Sequence, residues 1–121
     1  MVFQSRDGLT SGEAASGYPV GILAVVGGEP AGAVFPIVSG ENRIGRSREC
    51  EVRIPNDALG RLEALVTVEG ASVEIRLLHE RGSLTVNDAS LRSVSLEDGD
   101  VFELSGGLRL QFREIGAGER P

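Results

Sequence analysis

The sequence has no lysine and no tryptophan, only one cysteine, one histidine and one methionine, and aromatic residues make up 4% of its 121 positions. Each scarcity closes off a class of function. A lone Cys50 cannot form an intramolecular disulfide, and no second Cys or His stands at metal-ligand spacing from it. An intracellular location, nucleus or cytoplasm, is therefore expected, with no metal. His79 is the sole histidine, so any triad or zinc site would have to use it. It stands in the polar stretch His79-Glu80-Arg81 with no nucleophile or ligand set beside it in sequence. A turn histidine is expected there, and neither a catalytic residue nor a cofactor anywhere. The longest apolar stretch lies within residues 20–26 and falls far short of the roughly 18 to 20 residues that cross a bilayer. Residues 1–17 mix Arg6, Asp7 and Glu13 with Gly and Ser and lack the apolar centre of a signal peptide, so they read as a flexible arm. A formal charge of −6 argues against broad binding to nucleic acid. All 12 basic residues are Arg, as a GC-rich genome would produce.

What is present is a strand pattern. Apolar residues recur with period two in short bursts at 20–26, 33–38, 42–45, 51–54, 64–69, 72–78, 83–86, 93–96, 101–104 and 108–113. Turn residues separate them, among them Gly27-Gly28-Glu29-Pro30, Pro55-Asn56-Asp57, Asn87-Asp88 and Gly106-Gly107. No segment sustains helical periodicity, and neither Gly pair sits in the strand-loop-helix unit that a nucleotide site needs. An all-β sandwich of two sheets and about 10 or 11 short strands is expected over residues 18–114, with a frayed tail at 115–121. Alternation assigns Val73, Ile75 and Leu77, and again Leu108, Leu110 and Phe112, to inward faces.

Three blocks carry more specific information. The first is Asn42-Arg43-Ile44-Gly45-Arg46-Ser47-Arg48-Glu49-Cys50-Glu51-Val52-Arg53-Ile54-Pro55-Asn56-Asp57, the second Val86-Asn87-Asp88-Ala89-Ser90-Leu91, and the third Leu96-Glu97-Asp98-Gly99-Asp100-Val101-Phe102-Glu103-Leu104. In the third, Asp98-Gly99 favours a tight turn and Asp100 can accept hydrogen bonds from nearby amides. In order and spacing the blocks resemble the forkhead-associated (FHA) family over about residues 20–112. The stretch from Gly32 to Arg46 is also similar to the N-terminal FHA domain of the mediator of DNA-damage checkpoint family, a domain that dimerises. The resemblance implies structural roles for Gly45, Asn87, Asp98, Gly99 and Asp100, and a buried packing role for Cys50.

The resemblance further implies a phosphothreonine site made by an Arg after the third strand, a Ser before the fifth and an Asn after the sixth. Arg46 matches the first. Gly60 stands in place of the Ser, Glu63 in place of a loop-supporting His, and Arg81-Gly82 in place of Asn-Gly. Losing two charge-assisted hydrogen bonds weakens phosphate binding by about two to four powers of ten. Against that, Arg46 and Arg48, with Ser47 between them, Arg61 and Arg81 fall on the three expected loops, and arginines can hold phosphate bidentately. The leading expectation is a degenerate, non-catalytic interaction module that self-associates or builds a scaffold in a larger signalling protein, through strands such as 20–26 and 108–112. A phosphothreonine-peptide reader using the Arg cluster, and a structural domain of a secretion apparatus, are the alternatives. In each case the partner is a protein, with neither nucleic acid nor membrane involved.

Overall fold

In the computed structural model, which describes residues 18–115, the chain forms eleven strands and no α-helix among those residues. The expected arm at 1–17 and the tail at 116–121 lie outside them. Five strands, β3 (Gly40–Gly45), β4 (Val52–Arg53), β5 (Ala64–Glu69), β6 (Ser72–Leu77) and β9 (Ser93–Ser95), make one sheet in the order β9-β6-β5-β3-β4. The other six, β1 (Gly21–Gly27), β2 (Val34–Ile37), β7 (Thr85–Val86), β8 (Ala89–Ser90), β10 (Val101–Glu103) and β11 (Arg109–Glu114), are ordered β2-β1-β11-β10-β7-β8. All pairings are antiparallel except β3 with β4, which run parallel.

The core lies between the sheets and follows the alternation. Val73, Ile75 and Leu77 of β6 are buried against Ile44, Val66 and Val68, and face Leu23, Leu110, Phe112 and Phe102 of the other sheet's set. Fully burying one such aliphatic side chain contributes about 1.5–3 kcal/mol, so this cluster is the main source of stability. One polar side chain belongs to it. Asn42 is 1% exposed, its Oδ1 accepting from the Val38 amide at 2.9 Å and its Nδ2 donating to the carbonyls of Val38 at 2.8 Å and Val66 at 3.2 Å. It replaces main-chain pairing where the chain turns from β2 into β3.

The turn chemistry matches the motifs. Asn87 and Asp88 both have positive φ, 52° and 66°, and join β7 to β8 in a two-residue hairpin. Sequence patterning did not foresee β8, because Ala89–Ser90 is two exposed residues long with no apolar signal. Asp100 Oδ2 accepts from the Glu97 amide at 2.8 Å, Gly99 takes a φ of 92°, and Asp98 Oδ1 accepts from the Glu114 amide at 2.8 Å. Ile115, expected to fray, still donates its amide to Val20 O at 3.1 Å.

The segments 20–26 and 108–112, whose faces are expected to serve self-association, form β1 and β11, which lie inside the six-stranded sheet with neighbours on both sides. Their main-chain groups are already paired. The edge next to them is β2, where Pro36 removes one amide donor.

Candidate functional site

Three loops, 46–51, 54–63 and 78–84, are fastened together at one end of the sandwich. The fastening begins with Gly45 at the end of β3, which is buried with no room for a side chain: a Cβ there would collide with the Arg61 carbonyl oxygen and lie 2.8 Å from its carbonyl carbon. That close approach lets Arg46 N donate to Gly60 O at 3.2 Å and Ser47 N to Arg61 O at 3.1 Å. Cys50 Sγ donates to the same Arg61 carbonyl at 3.3 Å. Burial pushes the Cys50 thiol up from its ordinary pKa, so it remains a protonated packing group, as expected. Arg43 grips the far side of the first loop, donating through its amide and Nε to Glu51 Oε1 at 2.8 and 3.1 Å and through Nη2 to Oε2 at 2.9 Å. The guanidinium's hydrogen bond is the main cause that holds the Glu51 carboxyl down at about 2.

Glu63 fastens the second loop to the third. The residue is completely buried; Oε1 accepts from the Gly60 amide at 2.7 Å, Oε2 accepts from Ser105 Oγ at 2.6 Å, and its carbonyl accepts from the amides of Leu78 and His79 at 2.9 and 3.2 Å. Gly82 passes so near that a Cβ on it would stand 2.6 Å from Glu63 Oε2. Glu63, which stands where the resemblance implies a loop-supporting His, is thus an anchor beneath the loops. No local pattern could have shown this, since Ser105 is 42 positions away.

The candidate ligands are disposed unequally. Arg46, Arg48, Arg61 and Arg81 are all exposed, and Arg46 spends its Nε on Leu59 O at 2.6 Å. Among the described residues the ion pairs are Arg43 with Glu51 and Arg113 with Asp98, so none of the four is neutralised by Glu49, Asp57, Glu63 or Glu80. Ser47 is 8% exposed and its hydroxyl accepts from the Glu49 amide at 3.2 Å, which turns it into its own loop. Gly60 offers no side chain, and the His79 ring lies over it. Beside the third loop opens a cleft of about 300 Å³ whose walls include Leu77, Gly82, Leu84, Leu91 and Arg92. No group of three metal-ligating side chains occurs among the described residues, nor any helix long and apolar enough to cross a membrane.

Comparison with known proteins matches this arrangement to a family. The FHA domain model matches residues 42–105. The chain is 28% identical over 74 residues to the FHA domain-containing protein FhaA of Mycobacterium tuberculosis, 61% of this chain but only 14% of that protein's length. The FhaA FHA domain, solved in complex with the intracellular domain of Rv3910, is 26% identical, with a TM-score of 0.68 over 77% of this chain and 99% of that one. A structure described in a study of phosphothreonine-dependent FHA domain interactions has the same identity and TM-score over 77% of this chain and 94% of its own. The cytoplasmic domain of the type III secretion sorting-platform protein PscD of P. aeruginosa, 13% identical with a TM-score of 0.69 over 79% of this chain and 81% of that one, shares the fold alone. FHA domains are protein-interaction modules that typically bind phosphothreonine peptides, and this chain belongs to the FHA domain family.

Proposed function

We propose that the chain is a non-catalytic module that binds phosphothreonine segments of a partner protein through a ligand set dominated by arginine. The observation that carries this reading is the state of Arg46, Arg48, Arg61 and Arg81: exposed, unneutralised by described carboxylates, and borne on three loops that backbone bonds and Glu63 hold together. Guanidinium groups supply planar paired donors that suit phosphate, and in a chain of net charge −6 a local cationic cluster stands out to an anionic ligand. The absent Ser and Asn side chains set the affinity below that of modules that keep them. The relatives' phosphothreonine-dependent interactions support the same direction. Nucleic acid and membrane are not among the partners on this reading, and a secretion-machine role rests on nothing beyond a shared fold.

Amide NMR titration with a degenerate phosphothreonine peptide library, against its unphosphorylated twin, tests it. Shifts confined to residues around Arg46, Arg61 and Arg81, dependent on phosphate and abolished in Arg46→Ala, are expected. Equal shifts from both libraries, or none, would refute it.

A second reading, self-association without phosphate, has one observation in its favour. Val34, Ala24, Gln111 and Val101 lie abreast on the outer face of the six-stranded sheet, and Val34 and Val101 are 54% and 38% exposed. It requires a dimer in sedimentation velocity at micromolar concentration that Val34→Glu dissolves; a monomer at high micromolar concentration would end it.

A further inference from the structure

His79, expected in a turn, lies at the centre of the loop cluster. Its main chain is held from both sides: its amide donates to Glu63 O, and its carbonyl accepts from Gly82 N at 3.0 Å. Held there, the half-buried ring covers Gly60. A Cβ on residue 60 would stand 2.7 Å from the ring's Cδ2, 3.0 Å from Cγ and 3.2 Å from Nε2. The Cδ2–Nε2 edge therefore fills the volume that the first atoms of any side chain at position 60 would take. Gly60 and His79 are a matched pair: the ring can lie there only because residue 60 has no side chain.

The ring also brings chemistry to that volume. Neither imidazole nitrogen is hydrogen-bonded to another described residue. A neutral imidazole carries one N–H donor and an imidazolium two. The main chain of Gly60 in turn bonds to the amide of Arg46, and Arg61 follows it, so the ring edge is placed among the cationic loops.

We propose that the His79 imidazole is a phosphate ligand, supplying from the third loop the hydrogen-bond donor that the family's Ser would supply from position 60; this rests on the phosphopeptide reading above. The substitution moves a donor between loops while leaving it in nearly the same volume.

The test uses the 121-residue chain and a phosphothreonine peptide selected from a degenerate library on the wild type. His79→Ala is expected to weaken binding roughly 10- to 100-fold, the loss of one charge-assisted hydrogen bond. His79→Gln, which retains a donor, loses less. Gly60→Ser in the His79→Ala background regains affinity, because a hydroxyl then enters the vacated volume. In the wild type the imidazole nitrogen resonances shift with the phosphorylated peptide and not with its unphosphorylated form. If His79→Ala binds as tightly as wild type while Arg46→Ala abolishes binding, the ring only packs: this inference falls and the phosphopeptide reading stands. A double variant no better than His79→Ala also overturns the inference. Failure to select any phosphate-dependent peptide on the wild type overturns both.

Discussion

Replacing Gly45 by alanine adds one methyl group where the first and second loops meet. Its Cβ would strike the Arg61 carbonyl oxygen and sit 2.8 Å from the carbonyl carbon and 3.1 Å from Cys50 Sγ. Two of these obstacles are main-chain atoms, so no rotamer change relieves the clash and the loops must part. Overpacking of this kind costs about 1–3 kcal/mol. Parting the loops also breaks the bonds from Arg46 N to Gly60 O and from Ser47 N to Arg61 O, worth about 0.5–1.5 kcal/mol each. The expected loss is about 4 kcal/mol, a large share of the roughly 5–15 kcal/mol of a typical domain, and a fall in Tm of about 15–30 °C. Gly60→Ala is the internal control. There the nearest atoms belong to the His79 ring, which can swing aside, so less than about 1 kcal/mol should be lost. Urea unfolding followed by far-ultraviolet circular dichroism, with equal slopes confirming a common unfolded state, measures both. A Gly45→Ala variant within about 0.5 kcal/mol of wild type, or a Gly60→Ala variant as damaged as Gly45→Ala, would refute the reasoning.

Three further outcomes are expected. Glu63→Ala leaves the Gly60 amide and the Ser105 hydroxyl without partners and should cost about 2–4 kcal/mol, while Glu63→Gln, able to serve both, should cost about half as much or less by the same urea assay. Asn42→Ala strips partners from half-buried main-chain groups of Val38 and a buried carbonyl of Val66 and should lower stability by about 2–4 kcal/mol, seen as a calorimetric shift in Tm. The Glu51 carboxyl is held at about 2 against an ordinary 4.5, so its contribution is present above pH 4.5 and lost as pH falls through 2. Both partners are about 40% exposed, which limits that contribution to about 1 kcal/mol; stability curves of wild type and Glu51→Gln should therefore converge across that window, and parallel curves would contradict it.

The fold was largely legible because its cause is local. Period-two burial at Val73, Ile75 and Leu77, and positive-φ turns at Asn87, Asp88 and Gly99, are written in neighbouring residues and need no partner to be read. Ala89–Ser90 escaped for the complementary reason, since a two-residue polar strand exists only by pairing with Thr85–Val86. The same limit decided the site. Sequence placed Arg46, Arg61 and Arg81 on three loops, but whether acidic neighbours neutralise them is a question of distance in space.

Glu63 shows the division most clearly. In sequence it is only the residue in place of a loop-supporting His, and burial beside Gly60 and Ser105 makes it a brace. His79 sits in a turn as expected, and only the tertiary structure shows that its ring lies over Gly60. Most of the strands, the turns and the FHA framework were legible from the sequence, because each follows from residues adjacent in the chain. What surrounds Gly60 was settled by the tertiary structure, because Gly60, Glu63, His79, Gly82 and Ser105 meet solely where the packing of two sheets brings their loops together.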